Sequence, residues 1–117
     1  PPTASAFTAS ATPILTVLTA EGHAILRRIE VVPYAITGSW ELGEKVAEAA
    51  RRANCLLLAN HGATTLGTTL DEAFQRMEVL EAAAWQTWIA RGLEGVRRLT
   101  SEELHELDVY YGVTESD

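Results

Sequence analysis

One uninterrupted apolar run of strand length, CLLLA at residues 55–59, constrains this chain most strongly. A strand that is covered on one face alternates apolar with polar side chains. A run that is apolar at every position is typical of a strand buried on both faces. The run therefore predicts a central strand in a sheet covered by helices on each side, which is an α/β layered fold.

The segments around this run carry alternating strand and helix patterns. IEVVPY at 29–34 is rich in β-branched residues and closes with Pro33, which predicts a strand. Ser39 is a suitable N-cap for a helix over WELGEKVAEAARRA at 40–53. After the turn at 60–62, ATTLG is compatible with a second short strand. Helices and strands thus alternate, as the layered fold requires.

Two capping patterns predict helices in the C-terminal half. Thr69 with Glu72 begins a long helix over 70–91, and Thr100 with Glu103 begins a short one, SEELHEL. Apolar side chains on or near one face of the long helix are expected to pack on the core. These are Leu70, Ala73, Phe74, Met77, Leu80, Ala84, Trp88 and Ile89. Three glutamates, Glu72, Glu78 and Glu81, are expected to be solvated surface charges.

The chain of 117 residues is long enough for one domain with one core. Residues 1–12 predict a further helix, while 14–26 fit neither pattern clearly. One or two long strands make a poor sheet, so we expect residues 1–117 to complete a larger one. The chain also begins at Pro1 without a methionine, so we interpret it as a single domain whose N-terminal portion is missing.

Charge and composition exclude several classes of function. The net charge of −7 and the lack of a basic block argue against nucleic acid as a partner. The single cysteine, Cys55, excludes an internal disulfide and a multi-cysteine zinc site, and it is expected to be a buried, inert thiol. We find no membrane-spanning run or secretory signal and expect a cytoplasmic protein without a membrane partner.

His61 lies where the apolar run ends, beside Gly62. A strand end is a rigid platform, and a neutral imidazole is a good Zn²⁺ ligand. Gly62 leaves room for unusual backbone angles or a close substrate, and Asn60 can adopt a left-handed conformation. His61 is therefore a candidate metal ligand, with Asn60 and Gly62 as candidate substrate-binding residues. A polar β-turn is the alternative.

The remaining candidates have ordinary structural explanations as well. His23 and His105 are expected to be surface or hydrogen-bonded histidines, and the chain has no His-x-His spacing to complete a three-ligand zinc site. Trp85 and Trp88 predict core packing or a subunit interface. Tyr110 and Tyr111 could donate a proton in catalysis or anchor the C-terminal tail.

Residues 31–84 resemble the second half of the class II aldolase/adducin family, in particular its zinc-dependent L-fuculose-phosphate aldolase-like members. The similar pattern is a VPY strand, a G-[ST]-x-E-L helix start, an apolar strand ending in N-H-G, and a glycine before a [DE]-E-A helix start. ASAFTASATPI near the beginning and LTSEELHEL near the end are also similar to family segments. The resemblance therefore covers nearly the whole chain.

This resemblance implies a layered αβα sandwich, present here as an incomplete domain. It implies a zinc-dependent lyase that cleaves a ketose phosphate by a retro-aldol reaction, with His61 as one zinc ligand. In the family, a His-x-His motif, a glutamate and the phosphate-binding residues lie upstream of the part matching Pro1, so this chain alone is expected to be inactive. Tyr111, followed by Gly112 as in the family tail, is implied as the catalytic tyrosine, with Tyr110 as the alternative. The family also implies a homotetramer with active sites between subunits.

Other activities remain open under the same resemblance. Related pentulose-phosphate 4-epimerases and dehydratases share the zinc triad, and similarity of fold does not fix the reaction. A non-catalytic, adducin-like scaffolding domain would belong to a different class of function. A His-x-His motif before Pro1 would favour the enzyme. The presence of His61 already favours it, since a scaffold has no need of a metal ligand.

Overall fold

A computed structural model describes residues 1–113 as a three-stranded sheet between helices. The strands lie in the order β1-β2-β3, with β1 parallel and β3 antiparallel to β2. They are β1 (Ile29–Val32), β2 (Cys55–Leu58) and β3 (Gly62–Thr65). The helices are α1 (Pro2–Phe7), α2 (Trp40–Ala50), α3 (Leu70–Ala90) and α4 (Ser101–Tyr110), and a π-helical turn (Gly22–Leu26) precedes β1.

Within this described part, no helix has the length and apolarity needed to cross a membrane. Residues 114–117 of the predicted domain lie outside the described residues.

All four residues of β2 are buried, and they face two different clusters. Cys55 and Leu57 join the cluster formed with α1 and α3, whereas Leu56 and Leu58 join the cluster formed with α2. Successive side chains of a strand point to opposite faces. A run that is apolar at every position therefore suits a strand that is covered on both faces, as β2 is. The predicted layered αβα arrangement is confirmed, with α2 on one side of the sheet and α1 and α3 on the other.

The α2 layer forms as the sequence predicts. The Ser39 hydroxyl accepts a hydrogen bond from the backbone N–H of Leu42 at 3.1 Å, which caps the first turn. Leu42 and Ala49 then pack with Val32 of β1 and with the α2-facing side chains of β2. The strand–helix–strand connection from β1 to β2 thereby buries the second face of the sheet.

The long helix α3 packs closely because of Gly67. A Cβ at residue 67 would lie 2.7 Å from the backbone nitrogen of Ala73, so only glycine allows this approach between the loop and the first turns of α3. The hydroxyl of Thr65 also donates to the carbonyl of Ala73 at 2.7 Å. Together these contacts fix the start of α3 against the end of β3.

The predicted apolar face of α3 is partly wrong. The residues that α3 buries are Val79, Leu80, Ala83, Ala84 and Thr87, whereas Leu70, Phe74, Trp88 and Ile89 are exposed. Apolar residues extend around more than half of this helix, and only the side with small residues can approach the sheet closely. Trp85 is exposed as well, so core packing of the two tryptophans is excluded within residues 1–113. The alternative, that Trp85 and Trp88 lie in a subunit interface, stays a prediction.

Helix boundaries follow the predicted caps with several differences, one being that α2 ends at Ala50 rather than at residue 53. Thr100 and Glu103 form a complete capping box. Thr69 accepts from the N–H of Glu72, but the Glu72 carboxylate accepts from the N–H of Thr68 instead of closing the box. The first helix ends at Phe7 rather than extending to residue 12, and α4 continues to Tyr110.

Polar contacts hold α4 against the rest of the chain. In α4 no residue is fully buried. Asp108 Oδ1 lies 2.8 Å from His23 Nε2 and 3.1 Å from a guanidinium nitrogen of Arg27. The hydrogen bond to His23 has the largest effect on Asp108. Together with the bond to Arg27, it holds the pKa of this carboxyl below its ordinary value. His23 is thus a hydrogen-bonded histidine, as expected, and α4 is attached to the π-helical turn through this cluster.

Two identical substitutions on α3 test which of its faces is in the core. We expect Leu80→Ala to lower the free energy of unfolding by about 2–5 kcal/mol, because it leaves a cavity in a fully buried site. Leu70→Ala, at a side chain that is 86% exposed, is expected to cost under about 0.5 kcal/mol. Urea unfolding of the chain measures both, and equal losses would contradict the observed face.

The stability that Asp108 contributes by attaching α4 is expected to decrease at low pH. A carboxyl whose pKa is lowered by folding stabilises the fold fully above its unfolded pKa, and this contribution is lost as the pH falls through the folded value. The free energy of unfolding of Asp108→Asn should therefore differ most from that of the parent chain above about pH 5, and the difference should shrink towards pH 2. The exposed neighbour substitution Glu106→Gln is the control. A difference that is constant from pH 2 to 6 would contradict the role of the charged cluster.

Candidate active site

The turn between β2 and β3 presents His61 at the edge of the sheet. The backbone N–H of His61 donates to the carbonyl of Leu58 at 3.0 Å, which closes the turn directly after the buried strand. Asn60 has φ +56°, in the left-handed region. Asparagine is among the few residues that adopt this conformation readily. The unusual backbone angle thus belongs to Asn60, as predicted for it, and Gly62 does not have a positive φ.

Hydrogen bonds from two sides brace this turn. The N–H of Asn60 donates to the carbonyl of Thr8, at the end of α1, at 3.0 Å. The N–H of Ala59 donates to the carbonyl of Val32, at the end of β1, at 2.9 Å. The backbone that carries His61 is therefore tied both to the neighbouring strand and to the helix layer.

The three predicted residues of the turn lie together at an open position. Asn60 and His61 are exposed, and Gly62 is half-buried. A Cβ built on Gly62 would meet nothing within 4 Å, so there is free space next to the histidine. The arrangement allows a ligand, or another part of a larger assembly, to approach the imidazole.

The residues that the structure describes do not complete a zinc site around His61. Within 1–113, no group of three or more histidine, cysteine, aspartate and glutamate side chains could hold a metal ion. Cys55 is fully buried in the core, and burial raises the pKa of its thiol to about 11 against a smaller opposing effect of Arg76. Cys55 is the buried thiol that the sequence predicts, and His61 belongs to no group of three candidate metal ligands within residues 1–113.

Tyr111 lies at the C-terminal end of α4, next to an open cavity. Its ring packs edge-to-face against Tyr110, with the ring centroids 5.0 Å apart and the planes at 82°. Together with Asn54, Arg27 and Arg76, Tyr111 lines a cavity of about 640 Å³. The tyrosine is exposed, so its phenol is available to a molecule in this cavity or to a neighbouring chain.

His61 and Tyr111 are not brought together within the chain. Asn54, beside Tyr111, directly precedes β2, whereas His61 follows it. Three rises of about 3.3 Å along this strand already separate its ends by roughly 10 Å. The structure therefore places His61 and the Tyr111 cavity towards opposite ends of β2.

Glu81 has a role that the sequence did not indicate. Its two carboxylate oxygens accept hydrogen bonds from the backbone N–H groups of Thr3, at 3.0 Å, and Ala4, at 2.7 Å. The expectation of a solvated surface charge is wrong for this residue. The partners are 77 and 78 residues away along the chain, so no local spacing could have predicted the contact.

Comparisons with known proteins agree with this fold. The family described as the class II aldolase and adducin N-terminal domain matches residues 1–88. An L-fuculose phosphate aldolase of Methanococcus maripaludis is 36% identical over 80 residues, which are 68% of this chain and 43% of that protein. A 3-oxo-tetronate 4-phosphate decarboxylase of Escherichia coli K12 is 38% identical over 79 residues, which are 68% of this chain and 37% of that protein.

A solved structure shows the same architecture. The fold is similar to YgbL of Escherichia coli, described as an aldolase, epimerase or decarboxylase, with a TM-score of 0.80 and 29% identity over 90% of this chain and 52% of that one. The chain thus spans about half the length of the relatives that it matches, or less. The family match covers most of the chain, and the relatives and the fold agree with it. The chain therefore belongs to the class II aldolase and adducin family.

Proposed function

We propose that this chain is part of a zinc-dependent lyase that cleaves a ketose phosphate by a retro-aldol reaction. The observation that carries the proposal is His61, held on a braced turn at the end of the buried strand β2. Members of the family are generally metal-dependent, and relatives of this chain are named L-fuculose phosphate and rhamnulose-1-phosphate aldolases. Their names support a sugar phosphate as the substrate.

His61 is proposed as one ligand of the zinc ion. Catalytic zinc sites usually have three protein ligands, with Zn–N distances of about 2.0–2.1 Å for histidine. Because residues 1–113 contain no group of three such donors, we propose that further ligands and the catalytic base come from outside this part of the chain. Residues 1–117 then form one incomplete domain, which would be inactive alone. Asn60 and Gly62 are proposed to contact the substrate beside His61.

Tyr111 is proposed as the residue that donates a proton in the reaction. In retro-aldol cleavage the bond between the carbinol carbon and the carbon next to the carbonyl breaks, and its electron pair stays on the latter carbon. The carbinol hydroxyl loses its proton and becomes an aldehyde, while the carbanionic carbon receives one. The phenolic O–H of Tyr111 can supply that proton.

The positions of His61 and Tyr111 support an assembly with sites between subunits. His61 follows β2, whereas Tyr111 shares a cavity with Asn54, which precedes this strand. We therefore propose a site that combines His61 of one copy with Tyr111 of another. Phe74, Trp85 and Trp88 leave a large aromatic surface of α3 exposed, and such surfaces commonly mark protein–protein contacts. We propose a homotetramer, as in the family that the chain resembles.

A decarboxylase is the second candidate. It is favoured by the 38% identity to the 3-oxo-tetronate 4-phosphate decarboxylase. Loss of CO₂ from a 3-oxo acid also leaves an electron pair on a carbon next to a carbonyl, so the same proton donor could serve. Release of CO₂ without formation of an aldehyde would identify this reaction. An epimerase is one of the activities in the description of YgbL, but the curated relatives described above are named aldolases and a decarboxylase. A dehydratase is named in none of the matches described above.

Removal of the His61 imidazole tests the proposal. In the full polypeptide encoded by the gene, we expect His61→Ala to lose most bound zinc and to reduce cleavage of ketose phosphates by at least about 100-fold. Zinc is measured by elemental analysis and cleavage by the aldehyde and keto-phosphate products. His105→Ala, at an exposed histidine of α4, is the matched control and should keep both. Equal zinc in His61→Ala and the parent protein would overturn the assignment of the ligand.

A further inference from the structure

The carboxylate of Glu81 and the turn that carries His61 are connected through α1. We propose that Glu81 is a positioning residue, which fixes the backbone of Asn60 and His61 by anchoring the short helix α1 between α3 and that turn. The inference deepens the proposed function, since it concerns the placement of the proposed ligand. It nevertheless rests on contacts that do not involve a metal.

The first contact is at the beginning of α1. This helix has no side-chain cap of its own, because Pro1 occupies the N-cap position. The two Glu81 oxygens instead accept from Thr3 and Ala4, two of the N–H groups that a helix leaves without partners in its first turn. A carboxylate at this end also interacts favourably with the helix dipole. Glu81 therefore supplies from α3 the cap that α1 lacks.

The ionised form of Glu81 suits this role. Burial by itself would raise the pKa of the carboxyl, but the hydrogen bonds from Ala4 and Thr3 outweigh burial and hold the pKa below its ordinary value. The neighbouring Ala4 is fully buried against the α3 side of the core. The start of α1 is thus held by both polar and apolar contacts to one side of α3.

The second contact is at the other end of α1. After Phe7, Thr8 is buried, and its hydroxyl donates to the carbonyl of Ser5 at 2.6 Å. Its carbonyl accepts from the N–H of Asn60 at 3.0 Å. Six helical residues span about 9 Å, so α1 connects Glu81 directly to the turn after β2.

Asn60 is the residue at which this connection matters most. Its left-handed backbone turns the chain out of β2, and its N–H is the group that donates to the carbonyl of Thr8. If α1 shifts, the N–H of Asn60 loses its acceptor, and the direction of the adjacent His61 side chain changes with the backbone of the turn. Because the His61 side chain is exposed, few packing contacts oppose such a change.

Substitutions on α3 separate positioning from general stabilisation. We compare Glu81→Ala and the isosteric Glu81→Gln with Glu78→Gln, an exposed glutamate on the same helix. Leu42→Ala serves as a second control, since it weakens the core on the α2 side without touching α1. NMR of the metal-free protein reports the amide exchange of Asn60 and the ring resonances of His61.

We expect Glu81→Ala to speed exchange of the Asn60 amide at least about 10-fold relative to the parent and to Leu42→Ala. It should also shift the His61 ring signals, with Glu81→Gln giving a smaller change and Glu78→Gln none. If both Glu81 variants behave like Leu42→Ala at Asn60 and His61, the proposal is wrong and Glu81 is only a stabilising cap. The outcome is independent of zinc: if His61→Ala retains zinc, the proposed function fails while the effect of Glu81 on the turn is still measured.

Discussion

The burial of β2 on both faces is the constraint on which the rest of the structure depends. A four-residue strand with every side chain in a core needs a helix layer on each side, and α2 on one face and α1 with α3 on the other provide them. The same requirement decides where the strand can end. Once the apolar run stops, the polar residues Asn60 and His61 must leave the core, and they emerge together at one edge of the sheet.

The position of this edge has a consequence for function. His61 follows β2, whereas Tyr111 lies near Asn54, at the opposite end of the strand. One copy of residues 1–113 therefore holds the two parts of the proposed site towards opposite ends of β2. The chain also spans about half of the related proteins or less. Both observations support the proposal that other segments and other copies of the chain complete the site around His61.

Much of this architecture could be predicted from local patterns. The buried strand follows from CLLLA, the start of α2 from Ser39, and the turn from the asparagine and glycine around His61. Each of these is a local preference that tertiary structure did not have to override. The proposed roles of His61 and Tyr111 depend on the resemblance to a family rather than on spacing, because a single histidine in a turn has an ordinary structural explanation.

The predictions that were wrong concern contacts between distant parts of the chain. Apolar residues surround much of α3, and periodicity alone could not show that Val79 and Ala83 are buried while Trp88 is exposed. Glu81 had the pattern of a solvated charge, but a carboxylate that caps a helix from 77 residues away leaves no trace in local sequence. Glu72 accepts from Thr68 rather than Thr69, a difference of one residue that depends on the path of the loop.

Co-assembly of two defective variants shows whether the proposed active site combines His61 of one copy with Tyr111 of another. Full-length His61→Ala and Tyr111→Phe, each of low activity alone, are mixed as unfolded chains in equal amounts and refolded together. Random assembly of symmetric oligomers places an intact His61 beside an intact Tyr111 in about one quarter of the sites. The account predicts recovery of about a quarter of the parent activity in the mixture. Activity no greater than the mean of the two variants would contradict it.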